Sequence, residues 1–166
     1  MKRLIFLLLC LISTGCGQKM PDGMPKLRPV SVTVMQEGKP LADAAVSLRY
    51  PDAAAGNWAI GGQTDANGIA QLFTNGYAGA PLGKFKVVLF KEIEEGMEEY
   101  NKAMAAAMES GNSSAAKKVK VKIWSCVKPE YNDASKTPLE VEITADTKTL
   151  SLDAGQAVSI QQDFVQ

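Results

Sequence analysis

The sequence predicts an all-β sandwich of about seven to nine short strands with one inserted amphipathic helix. Two observations lead there. From Val30 onward, apolar and polar residues alternate at period two in one short run after another, separated by turn-forming residues. Once only, between Glu92 and Ser110, the spacing of apolar residues becomes that of a helix.

In chain order, Val30, Val32 and Val34 alternate with Ser31 and Thr33, the pattern of a strand with one buried face. Glu37-Gly38-Lys39-Pro40 supplies a turn, and Val46, Leu48 and Tyr50 alternate with Ser47 and Arg49 in a second strand. A loop of small residues runs from Pro51 to Gly56, and Trp58 to Gly61 reads as a short strand. Thr64-Asp65-Ala66-Asn67-Gly68 is a strong turn signal before a strand from Ile69 to Phe73. Phe85, Val87 and Leu89 form the next strand.

Ile93, Met97, Tyr100, Met104 and Met108 then recur at helical steps, giving a helix of about four turns near residues 92–110. Glu92, Glu94 and Glu95 complement its N-terminal dipole, and Gly111 is placed to cap its end. Strands resume with Val119, Val121 and Ile123, with Leu139, Val141 and Ile143, with Leu150 and Leu152, and with Val158, Ile160, Gln162 and Phe164. A polar loop from Pro129 to Pro138 interrupts them, and no internal repeat is present.

The start of the chain has a different character. Lys2 and Arg3 precede an apolar run from Leu4 to Ile12, and small residues follow it. This is the layout of a secretory leader, far shorter than the roughly 20 apolar residues a spanning helix needs. Leu11-Ile12-Ser13-Thr14-Gly15-Cys16 resembles a bacterial lipobox. The resemblance implies cleavage after residue 15, acylation of Cys16, and tethering to a membrane through the acyl chains. Gly17, where an Asp would signal retention, implies outer-membrane delivery in a two-membrane envelope. Residues 16–29 then form a lipidated N-terminus and tether, with Pro21, Gly23, Pro25 and Pro29 opposing regular structure. Residues 30–166 form the domain.

Composition excludes several function classes. Without Lys2 and Arg3 the mature chain carries 16 basic and 18 acidic residues, a formal net charge of −2. That gives no electrostatic footprint for nucleic acid. Histidine is absent, which removes His-activated serine or cysteine nucleophiles, the commonest general base and most catalytic zinc sites. No cofactor or metal is expected. Of three cysteines, Cys10 leaves with the leader and Cys16 is acylated, so Cys126 has no partner within the chain. It reads as a small apolar residue, with a reactive or dimer-forming thiol as the alternative.

Three stretches carry a second resemblance. Glu37-Gly38-Lys39-Pro40-Leu41-Ala42-Asp43-Ala44-Ala45-Val46 resembles the opening of carboxypeptidase regulatory-like and transthyretin-like domains. Thr64-Asp65-Ala66-Asn67-Gly68 resembles their hairpin, and Pro81-Leu82-Gly83-Lys84-Phe85-Lys86-Val87 their following strand. The run Lys128 to Asp133, with Thr137 to Ile143, is similar to the C-terminal part of small envelope lipoproteins carrying this domain. The resemblance implies an Ig-like sandwich with no catalytic residues of its own.

Four groups of residues are candidates for function. Asp65, Asn67 and Gly68 contain part of a calcium-loop pattern but lack its further oxygen ligands, so they read as a turn. Met97, Tyr100, Met104 and Met108 either pack the helix on the sandwich or dock a partner protein. Lys118, Lys120 and Lys122 line one strand face, either as a solvated row or against anionic lipid or cell-wall polymer. Trp124 and Tyr131 either pack or stack on sugars. The expected function is that of a membrane-tethered, non-enzymatic envelope lipoprotein. The alternatives are an accessory subunit docking through the helix, and a hydrolase built on Lys, Ser and carboxylates.

Overall fold

A computed structural model of the chain describes residues 20–52, 57–111 and 119–162. The leader, Cys16, Lys118 and Phe164 lie outside the described residues. The elements are β1 (Ser31–Gln36), β2 (Lys39–Pro40), β3 (Ala45–Arg49), β4 (Ile60–Gln63), β5 (Ile69–Gln71), β6 (Phe73–Thr74) and β7 (Tyr77–Ala78). These are followed by β8 (Gly83–Phe90), β9 (Glu92–Glu95), α1 (Met97–Ser110), β10 (Lys122–Ser125), β11 (Glu140–Ile143), β12 (Thr149–Asp153) and β13 (Ile160–Gln162). The chain is an all-β sandwich with one inserted helix.

β1 is the middle of the first sheet. β12 runs parallel along one edge, while β5 and β2 share the other edge, both antiparallel. The second sheet is antiparallel throughout, in the order β11-β8-β3-β4-β6-β7. Period-two patterning places the apolar sets face to face. Val32, Val34, Ala70 and Leu152 come from the first sheet, and Val46, Leu48, Ile60, Phe85, Val87, Leu89 and Ile143 from the second, all buried in one core.

The β4–β5 hairpin carries the chain from one sheet to the other. Its crossing is held at Thr64, whose buried hydroxyl donates to Leu41 O (2.7 Å) and accepts from Ala44 N (2.8 Å). Burial without those partners would leave two backbone groups unsatisfied. Leu72 marks a second crossing. The strand expected from Ile69 to Phe73 is two strands, because β5 pairs with β1 in the first sheet and β6 pairs with β4 in the second.

Beside the sandwich lies a third antiparallel sheet, in the order β13-β10-β9. Here the expected helix needs correction. Residues 92–95 are strand β9, and the helix begins at Met97. Gly96 separates them with φ +84, and a Cβ there would lie 2.6 Å from Lys120 O, so the chain turns at a position only glycine fits. Ile93 therefore faces Trp124 across a ladder rather than the first turn of a helix. In place of the expected polar loop, Pro129–Asn132 forms a 3-10 turn that sends Tyr131 into the core.

Part of the stretch expected to be a solvated tether is packed. Met24, Pro25, Leu27 and Arg28 are half-buried, and Arg28 exchanges two 2.9 Å backbone hydrogen bonds with Ala80. Among the described residues, no helix is long and apolar enough to cross a membrane.

Candidate functional site

The inserted segment is the first place where a functional surface is expected. Its root is held by three hydrogen bonds around Cys126, one of them to Gln36 on β1 of the sandwich. Cys126 N donates to Lys91 O (2.8 Å), and its own carbonyl accepts from the Gln36 side chain (3.0 Å) and from Val158 N (3.3 Å). The Cys126 thiol is free and half-buried. Beyond this root, β9 is an exposed edge strand whose glutamates discourage pairing by another chain. Glu95 gathers Lys122 (3.7 Å) and the indole N–H of Trp124 (3.4 Å).

The helix does not present the expected stripe as one surface. Met97, Tyr100 and Met104 are half-buried, whereas Met108 is 81% exposed. The face that loses solvent is Met97, Tyr100, Ala103, Met104 and Ala107, spaced i, i+3, i+6, i+7 and i+10, with Ala107 buried. Two alanines define that face, and a reading that follows only large apolar residues passes over them.

Trp124 and Tyr131 are assigned to different parts of the fold. Trp124 is half-buried on the third sheet, and Tyr131 is a core residue of the sandwich. Lys120 and Lys122 are exposed.

The perturbed acids belong to turns and ladders. Asp65 Oδ1 accepts from Ile69 N (2.9 Å) and Asn67 N (2.8 Å) and so closes the β4–β5 hairpin. The Ile69 amide is the main cause that lowers its pKa. Asp133 accepts from the Ser135 hydroxyl (2.7 Å) and the Ser135 amide (2.8 Å), and pairs with Lys136 (3.0 Å). The Ser135 hydroxyl first, then the Ser135 amide and Lys136, hold its pKa down at about 2.

A depressed carboxylate stabilises the fold above its unfolded value of roughly 4, and that contribution disappears as pH falls through the folded value. Asp133→Asn is therefore expected to lower the melting temperature at neutral pH and to converge with the parent as pH falls from about 4 to 2. Melting temperatures across that range check it, and a gap that persists unchanged to the lowest pH would contradict it.

A hydrolase built on Lys and carboxylates would need such groups gathered with a nucleophile. The nearest arrangement is a shallow groove lined by Lys84, Lys86, Glu140 and Glu142, with Pro51, Phe85 and Val141. These charges are cross-strand partners: Lys86 faces Glu140 and Lys84 faces Glu142 between β8 and β11. Lys86 forms a hydrogen-bonded ion pair with Glu140 and lowers its pKa, which makes that carboxylate a weaker base. No serine, threonine or cysteine lines the groove. Its geometry is that of a charge ladder on an exposed sheet face. Among the described residues, no three of Cys, Asp and Glu gather as a group that could hold a metal ion.

Comparisons with protein-family models, with curated proteins and with solved structures find no match to this chain.

Proposed function

We propose that this chain is a membrane-tethered, non-enzymatic envelope lipoprotein whose sandwich has a binding or structural role. The observation that carries the reading is the run Leu11-Ile12-Ser13-Thr14-Gly15-Cys16 at the end of a leader-length apolar segment. The absence of histidine and the location of the perturbed acids in turns and ladders support a role in contact rather than catalysis. Acyl chains on Cys16 hold a domain at a bilayer through about 0.8 kcal/mol per buried methylene, so the domain needs no apolar surface for anchoring. The sandwich is proposed to be of the carboxypeptidase regulatory-like, transthyretin-like kind. The three motif stretches fall in order at β1–β3, at the β4–β5 hairpin and at β8.

Cys16→Ala tests the reading. In the parent, the intact mass is expected to lack residues 1–15 and to include the acyl chains, with the protein in the membrane fraction. In the variant, acyl label and membrane association are lost together. Unchanged mass and fractionation would end the proposal. Cys126→Ala serves as the control and keeps both.

A second reading, docking of an envelope protein on α1, draws its support from the exposure of Met108. Met108→Asp is expected to abolish crosslinking from the helix in the envelope with no change in melting temperature. Retained crosslinks would exclude this role for Met108.

A further inference from the structure

We propose that the groove between the tether and the β11–β12 turn binds a phosphate group, supplied in the tethered protein by the headgroup of an anionic lipid. The groove holds about 380 Å3 and is lined by Arg28, Ser31, Gln71, Thr147 and Lys148, together with small and apolar neighbours. No carboxylate lines it, and neither Arg28 nor Lys148 appears in an ion pair among the described residues. Two cations in one concavity with no lining carboxylate, beside the Gln71 amide and the Ser31 hydroxyl that lies 3.3 Å from Thr149 Oγ1, form a cationic site for an oxyanion.

Both cations stand on fixed backbone. Arg28 is bridged to Ala80 through its own N–H and C=O (2.9 Å each). Lys148 O accepts from Ser31 N (3.0 Å), which ties the turn to the start of β1. The turn itself is locked, since Thr147 Oγ1 accepts from Thr144 N (2.9 Å) and lies 3.0 Å from Thr144 Oγ1. Side chains projecting from rigid backbone lose less entropy on binding than those on a mobile loop. The guanidinium fork of Arg28 matches two oxygens of a phosphate, and Lys148 adds a point charge from the β11–β12 turn.

The groove also lies where the chain arrives from the membrane. Met24, Pro25, Leu27 and Arg28 are half-buried, so at most the eight positions from Cys16 to Gly23, a span of roughly 28 Å if fully extended, separate the proposed acylation site from this end of the domain. That length holds the Arg28 end of the domain within reach of headgroups. The lipid source rests on the tether proposed above; the phosphate site itself does not.

The test uses the full chain as processed by the cell, in neutral detergent or in nanodiscs. In the first arm, inorganic phosphate and glycerol phosphate are titrated at constant ionic strength, following the amide signals of Ser31, Gln71, Thr147 and Lys148. Saturable shifts are expected in these four residues, with binding about tenfold weaker in Arg28→Gln/Lys148→Gln and unchanged in Lys39→Gln. In the second arm, nanodiscs containing phosphatidylglycerol are expected to move the same signals, and nanodiscs of phosphatidylcholine alone are not. Saturation in the first arm without the second supports the phosphate site and overturns the lipid source. No saturable shift in the first arm, or equal binding by the double variant, overturns the proposal. Intact mass reads acylation of Cys16 separately, so failure of the tether is distinguished from failure of the groove.

Discussion

Phe85→Ala is expected to lower the free energy of unfolding by about 3–5 kcal/mol, a large part of the roughly 5–15 kcal/mol available to a domain. Phe85 lies on β8, the strand between β3 and β11, and points into the core with 2% exposure. It faces Val141 across the ladder, and its ring centroid lies 5.1 Å from that of Tyr50, tilted by 60°. Truncation removes the transfer energy of the ring, leaves a cavity between two sheets whose backbone ladders limit their collapse, and deletes an aromatic pair worth about 0.5–1.5 kcal/mol. Tyr50 supplies a second readout. Burial raises its phenol above the ordinary value, and loss of the neighbouring ring is expected to bring that pKa down as water enters. Denaturant unfolding with an unchanged m-value checks the energy. A cost below about 1 kcal/mol would mean that the sheets collapse onto the vacancy.

The strands of the sandwich are legible where one face is buried and the other is not. Val32, Val34, Val46, Leu48, Phe85, Val87 and Leu89 announce themselves by alternation, and each is in the core. The failures arise where pairing is decided at long range. Glu92 to Glu95 is rich in a good helix former, and Ile93 stands at helical spacing from Met97. It is a strand because β10 arrives from far downstream to pair with it and Gly96 ends it. The same holds at Leu72, where the short run Ile69-Ala70-Gln71-Leu72-Phe73 hides a change of sheet.

The functional residues divide in the same way. The lipidation proposed at Cys16 is readable from sequence because a cleavage-and-acylation pattern is local. The phosphate groove is not legible. Arg28 falls in the stretch expected to be a tether, Lys148 carries no signal of its own, and the β1–β12 parallel pair sets Ser31 opposite Thr149 and so brings Lys148 to the same groove as Arg28. Parallel pairing of strands from opposite ends of the domain leaves no short-range pattern to find.

Gly62→Ala is expected to cost about 3 kcal/mol, although it adds only one methyl group. Gly62 lies on β4 opposite Val46, in the hairpin that crosses between the sheets. A Cβ at this position would stand 2.2 Å from Gln71 O, 3.1 Å from Gln71 C and 3.5 Å from the Ala70 methyl. The closest atoms are backbone, so no rotamer change relieves the overlap. Gln71 belongs to β5, which pairs with β1, the middle strand of the first sheet. Relief therefore requires β5 to move away from β4, which loosens the seam that joins the two layers of the core. The Leu72 amide, which donates to Val30 O at 3.0 Å, is next to that seam. Its hydrogen exchange is expected to accelerate in the variant more than that of the Val87 amide, which donates to Leu139 O on the far side of β8. A variant that unfolds within about 0.5 kcal/mol of the parent, with Leu72 protected as before, would show that β4 and β5 do not need a glycine at their crossing.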